Sequence, residues 1–275
     1  MVMSKYMGTY NYEPSYPAAI VFAVFFGITT LAHGIQLFWT KTWFFVAFFI
    51  GGLFEVIGYI SRAISANEAP NYSITPGTIQ TVFILIAPSL FAASIYMELG
   101  RIIIMTGGEQ YAIVRPSWIT KIFLIGDVVS FVAQAGGAAS LEDSFESGER
   151  MIKIGLGVQV SFFGLFMITA AIFHYRLRPN TSRLILPKVL PWEKHMLVLY
   201  GTSLLIFVRS IFRLAEYTGG ESSPLLQHEY YVYIFDAVLM LFVMGVFNAF
   251  YPAQINEALR ARQVELANLS TASEG

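Results

Sequence analysis

The sequence predicts an all-α membrane protein: a bundle of seven transmembrane helices with its N-terminus outside and its C-terminus in the cytoplasm. Three observations predict it. Of 275 residues, 56% are hydrophobic and only 13% are charged, where soluble domains carry about 25% charge. Mean hydropathy is +0.60. Seven stretches, at 18–38, 42–64, 78–104, 118–139, 154–175, 195–217 and 230–251, are apolar enough and near the ~20 residues that a helix needs to cross a bilayer. They divide the chain into an outer tail over 1–17, a transmembrane domain over 18–252 and a cytoplasmic tail over 253–275.

Each span is bounded by its own signals. The first follows Tyr10-Asn11-Tyr12-Glu13-Pro14, which is not the leader of a cleaved signal peptide, so this span acts as the insertion signal. Ala69-Pro70-Asn71 ends the second span, and Gly107-Gly108 ends the third. Pro88 lies within the third span and kinks it. Arg178-Pro179-Asn180 follows the fifth, and Gly219-Gly220 the sixth, which is the least apolar. The tail beyond Pro252 is polar, with Ile255, Leu259 and Leu266 near helical spacing.

Orientation follows from Lys and Arg in the loops. Eleven lie on the side that includes Lys41, Arg101, Arg115, Lys121 and Arg176, and four lie on the other. The richer side is cytoplasmic. All four tryptophans, Trp39, Trp43, Trp118 and Trp192, fall at that side, as an interfacial belt places them. The Trp–Lys pairs that open the second, fourth and sixth spans fit either a hairpin repeat or ordinary interface anchoring. Of the three glycosylation sequons only Asn71 falls on the outer side, and it is the candidate glycosylation site.

Composition and motifs exclude several chemistries. A net charge of −1 gives no nucleic-acid footprint. The absence of cysteine removes disulfides and thiolate chemistry. No GxxxxGK[ST] loop cradles ATP, and the four histidines form no HxxxH or HExxH pair. No cofactor or metal is expected, and neither is an enzyme.

What remains is charge inside apolar segments, which costs about 2.5–3.5 kcal/mol per group on insertion scales and marks function by default. Helical spacing places these groups on defined faces. The second span carries Glu55, Tyr59 and Arg62; the fourth carries Asp127, Ser130 and Gln134; the sixth carries Arg209, Arg213 and Glu216; the seventh carries Glu229, Tyr233 and Asp236. Gln80 and Gln159 enter the third and fifth spans at the same level. Six spans thus feed one layer between the bilayer middle and its outer third. Three carboxylates (Glu55, Glu216, Asp236) offset three guanidiniums (Arg62, Arg209, Arg213), because unpaired buried ions cost far more than paired ones. Glu55 with Arg209 and Arg62 with Glu216 are the expected pairs. Asp127 stands apart, either protonated or facing a charge on another helix. Two readings of the layer stay open: ion pairs that fix helix register, or a polar cavity for a ligand headgroup. The number of contributing helices favours the cavity. Glu98 and Arg101, at the inner end of the third span, read as interfacial charges that snorkel. Gly136-Gly137, Gly155 and Gly157 read as close-packing positions.

Taken together these residues resemble the fungal lipid-translocating exporter family, also called RTA-like or "resistance to aminocholesterol". The likeness is carried by Tyr10-x-Tyr12-x-Pro14-Ser15, Glu55-x-x-Gly58-Tyr59-x-x-Arg62, Gln80 through Ile84-Leu85-x-Ala87-Pro88, and Ala92-Ala93-Ser94-Ile95-Tyr96-Met97-x-Leu99-Gly100-Arg101. It continues through Asp127-Val128-Val129-Ser130-Phe131-x-x-Gln134, Gly155-x-x-x-Gln159, Arg209-x-x-Phe212-Arg213-x-x-Glu216-Tyr217 and His228-Glu229-x-x-x-Tyr233-x-x-Asp236. Tyr251-Pro252 departs from the pattern, which has His before the proline. The resemblance implies a seven-span fungal protein, typically of the plasma membrane, that moves or resists amphiphiles such as sphingoid bases, sterol-like drugs or porphyrins. Its expected partners are membrane lipids or amphiphilic small molecules. Its expected activity is ATP-independent translocation through the polar layer; the alternative is a lipid-sensing receptor with the same pocket and no transport.

Overall fold

The computed structural model describes residues 12–69, 72–140, 145–183, 192–219 and 224–259. Seven long helices dominate them: α1 (Tyr16–Thr40), α2 (Val46–Asn67), α3 (Ile74–Thr106), α4 (Pro116–Ser140), α5 (Phe145–Leu177), α6 (Trp192–Thr218) and α7 (Glu229–Ala249). All seven are long and apolar enough to cross a membrane.

Local chemistry sets the helix ends. Ser15 caps α1, its hydroxyl accepting from the Ala18 N–H. Lys41 ends the helix in a left-handed conformation (φ 53°) while its N–H returns to the Leu37 carbonyl. Gly107 (φ 65°) ends α3 in the same way, at a position where glycine carries no Cβ penalty. A 3-10 turn over Trp43–Phe45 leads into α2.

α3 and α5 each run 33 residues, about 50 Å at 1.5 Å per residue. Both outrun the spans expected at 78–104 and 154–175. In α5 the reason is visible at its start: Glu149 and Lys153 pair at 2.8 Å across one turn. Hydropathy stops where polarity begins, but the backbone continues because such i,i+4 pairs support an exposed helix. The sixth span, read as the least apolar, is an unbroken helix over Trp192–Thr218.

Successive helices pack side by side, α7 closes against α1 and α6, and α3 reaches across to α6. α3 is the most buried of the seven. Aromatic side chains fill the interior in two groups. Phe45, Phe48, Phe91 and Phe247 pack together from the turn before α2, α2 itself, α3 and α7. Tyr96, Phe123, Phe163 and Phe166 join α3, α4 and α5. The outer surface is apolar as well. Ile28, Leu31, Ile125, Val132, Leu165, Ile168 and Phe242 are each more than half exposed, which is stable only against lipid.

Three tryptophans point outward at one end of the bundle. Trp192 does not: it is buried, with its ring edge-on to His174 at 5.4 Å. The belt is therefore made of Trp39, Trp43 and Trp118. The start of the polar tail is ordered into a helix over 253–259, with Ile255 fully buried and Asn256 accepting from Arg101 at 2.8 Å.

Candidate functional site

The twelve predicted site residues are almost all buried, and Arg213 is the most exposed, at 17% of its side chain. They divide into separate hydrogen-bonded groups rather than one shared network.

The charged group lies where α2, α3, α6 and α7 meet. Asp236 accepts from Arg209 Nε at 2.8 Å and from Arg213 Nη2. Arg213 Nη1 donates to Glu216 Oε2 at 2.9 Å. Arg209 and Arg213, four residues apart, share a face of α6 and so reach one carboxylate together. The π-helical turn at Tyr233–Val238 carries Asp236 itself; such turns widen a helix locally and recur at functional sites. Arg209 Nη2 also donates to the Ile84 carbonyl at 3.1 Å. That carbonyl is free because Pro88, four residues on, has no N–H to give it. Gly58 lets α2 come close at the same point, since a Cβ there would lie 2.6 Å from Ile84 Cγ1.

Several polar atoms in this group keep unused hydrogen-bonding capacity. Glu55 is 1% exposed and its Oε1 has no partner among the described residues. The atoms Arg209 Nη1, Arg213 Nε and the Tyr59 hydroxyl oxygen are also buried without a hydrogen-bond partner among the described residues. Glu55 sits within electrostatic range of Asp236, Arg209 and Arg213. The site thus offers both spare donors and a spare acceptor in a desolvated setting, where each unmatched group costs about 1–3 kcal/mol.

The expected pairs need correction. Arg62 does not meet Glu216. It donates to Glu229 at 2.8 Å, to the Tyr233 hydroxyl at 3.1 Å and to the Tyr12 hydroxyl at 3.0 Å. Glu229 in turn accepts the Ser15 N–H at 2.9 Å. Arg62 is nearly two turns from Glu55, so it meets the beginning of α7 and the segment before α1. Glu55 likewise makes no hydrogen bond to Arg209, which is taken by Asp236.

The amide group lies apart, between α4 and α5. Gln134 donates to the Ser130 hydroxyl at 2.7 Å and to Gln159 at 3.2 Å, and Ser130 donates to the Gly155 carbonyl at 2.7 Å. Gly155 has no room for a Cβ, which would lie 2.8 Å from the Ser130 carbonyl. Asp127 pairs with neither set. It accepts from the Tyr96 hydroxyl of α3 at 3.0 Å, so its partner is a phenol and not a cation. Gln80 is buried on α3. Asn71 lies outside the described residues.

The expectation of an open polar chamber meets a closed layer: Glu55, Arg62, Arg209 and Asp236 are each no more than 2% exposed. Among the described residues, surface clefts lie elsewhere, one of about 410 Å³ between α1 and α2 and another of about 610 Å³ at the end of α5. Glu98 also departs from its reading as a snorkelling charge. It is 0% exposed, because α6 covers it with His195. Sequence reasoning missed Tyr12, Ser15, Tyr96 and the Ile84 carbonyl. All four fall in stretches that carry the family resemblance, and the Ile84 carbonyl had a physical signal as well, the position four residues before Pro88.

An apolar flank around a buried, paired set of charges defines an integral membrane protein of the seven-helix type. The family model described as RTA1 like protein matches residues 48–258. Protoporphyrin uptake protein 1 of Saccharomyces cerevisiae is 35% identical, over 87% of this chain and 90% of its own. The probable lipid transporter atnI of Emericella nidulans is 30% identical, over 89% of this chain and 67% of its own. The sphingoid long-chain base transporter RSB1 of Saccharomyces cerevisiae is 27% identical, over 85% and 70%. No solved structure matches the chain. The chain belongs to the RTA1-like family.

Proposed function

We propose that this protein moves lipids or lipid-like amphiphiles across a fungal membrane, most naturally the plasma membrane, without ATP. The observation that carries the reading is the cluster of Glu55, Arg209, Arg213 and Asp236, buried between four helices with donors and an acceptor unused. An amine headgroup would be taken by Glu55, and a phosphate or carboxylate by the forked guanidiniums of Arg209 and Arg213. The apolar tail would stay against the helix flanks. The names of the relatives, a probable lipid transporter and a sphingoid base transporter, support lipid as the substrate class.

The cluster is closed in this structure, so an anionic headgroup reaches the guanidiniums only by displacing Asp236 from them, and an amine reaches Glu55 only when the packing around it opens. The test is efflux of a labelled sphingoid base from cells carrying Arg209→Ala or Asp236→Ala at matched surface abundance. The expected result is loss of efflux and of amphiphile resistance; efflux at the wild-type level removes the residue from the mechanism.

A second reading, a lipid sensor with no flux, is favoured by that same closed packing. Purified protein in vesicles separates the two. Movement of labelled lipid without a partner supports transport, and binding without movement supports sensing.

A further inference from the structure

A second buried acidic side chain lies far from the headgroup cluster, between α3 and α6, two of the four helices that form it. Glu98 of α3 is 0% exposed, and neither of its carboxylate oxygens has a hydrogen-bond partner among the described residues. His195 of α6 places Nδ1 3.9 Å from its Oε1. Glu98 follows Ile84 by fourteen residues on α3, and His195 precedes Arg209 by fourteen on α6. Each interval is about 21 Å of helix. The Ile84–Arg209 contact and the Glu98–His195 contact are therefore two rungs of one antiparallel helix pair, roughly two-thirds of a hydrocarbon core apart.

The surroundings of Glu98 leave one ligand that fits. Arg101, one turn along α3, is held by Asn256 and lies over the Phe44 ring at 4.1 Å. Tyr96 of α3 faces Asp127 of α4. Lys121 of α4 lies over the Trp118 ring. α2 has no titratable residue between Lys41 and Glu55, and α7 none between Asp236 and Tyr251. No described group of three His, Asp or Glu residues could hold a metal. An isolated carboxylate in such a place is too costly to persist and neutralises instead. His195 lies toward the surface: Gln254, which is exposed, stands beside its ring. Gln254, His195 and Glu98 thus follow one another from the surface inward. Further along α6 the buried Ser203 hydroxyl, also without a described partner, lies between the two rungs.

We propose that Glu98, with His195 as its gate, is a proton-binding site, and that this protein exchanges a proton there in step with movement of the headgroup at the Arg209–Asp236 cluster. A proton from solvent adds to the Glu98 carboxylate and later returns to solvent; no other bond changes. Coupling rests on the transport reading above, whereas proton binding does not. The shared α3–α6 pair supplies the link, since breaking the Ile84–Arg209 contact shifts the helices that hold the lower rung.

Two measurements test it. Infrared difference spectra of the purified protein in lipid nanodiscs, taken between two pH values, should show a protonated carboxyl band. That band should vanish in Glu98→Gln, move to a different pH in His195→Gln and persist in Asp127→Asn. Glu98→Gln mimics the protonated side chain, so it should fold; its monodispersity and unfolding temperature check this. In vesicles, flux of a labelled sphingoid base should change several-fold on imposing a proton gradient, and Glu98→Gln should lose that response. A spectrum without a Glu98 band overturns the proton site. A Glu98→Gln protein whose flux still follows the gradient overturns the coupling. Wild-type protein that moves no lipid at all overturns the transport reading and the coupling with it, while the band still decides the site.

Discussion

Asp236 is a focus of the buried electrostatics in the bundle. It accepts from two guanidiniums while itself 1% exposed. Asp236→Ala should destabilise the protein by about 3–5 kcal/mol, because two buried cations lose their counter-charge; unfolding in detergent measures it. Glu55→Gln should differ in sign or be near neutral. Its Oε1 makes no hydrogen bond, so removing the charge relieves desolvation. A Glu55→Gln protein that keeps its unfolding temperature but no longer exports a cationic sphingoid base would assign Glu55 to the amine. Pro88→Ala gives a third expectation. It restores an N–H that competes for the Ile84 carbonyl, leaving Arg209 Nη2 unmatched. Flux should fall while the helix becomes more regular; unchanged flux would remove the carbonyl from the site.

Among the helices, α3 sets the geometry of the interior. It supplies Ile84, Tyr96 and Glu98, and it packs on α2, α4 and α6. Its contact with α2 depends on Gly58 beneath Ile84. Gly58→Leu should cost about 1–3 kcal/mol by overpacking. Gly157→Ala should be neutral or stabilising, since nothing lies within 4 Å of the added Cβ. Comparing the two unfolding temperatures checks the close approach directly. Gly137 and Gly155 also sit against backbone, whereas Gly136 meets only the tip of Met151 at 3.4 Å. The glycine pattern in the sequence therefore marked the right helix pair but not each glycine that matters. The π-turn around Asp236 left no sequence signal, because widening a helix by one residue follows from its neighbours and not from local propensity.

For the whole molecule, the Lys and Arg distribution makes a topological prediction: N-terminus outside, C-terminus in the cytoplasm. An epitope at the C-terminus should be stained only after permeabilisation, and one at the N-terminus without it; the reverse pattern inverts the bundle. The segment from Tyr12 to Ser15 is tied to α2 and α7 through Arg62 and Glu229, so the N-terminal end of the bundle is fastened across three elements. Arg62→Ala should loosen that end, seen as faster proteolysis near residue 12, while the Arg209–Asp236 pair, held elsewhere, is retained.

Composition and periodicity alone determined that this chain has seven segments long and apolar enough to cross a membrane, where those segments lie, and most of the polar residues inside them. These follow from hydrophobic transfer and from the 3.6-residue turn, both properties of a segment by itself. The tertiary structure decided the partners: Asp236 for Arg209, Glu229 for Arg62, Tyr96 for Asp127, and burial for Glu98. A helix fixes the depth and angle of its own side chains, but which side chain stands opposite depends on helix adjacency and rotation. Those are set by packing among seven elements at once, where no single stretch of sequence holds the answer.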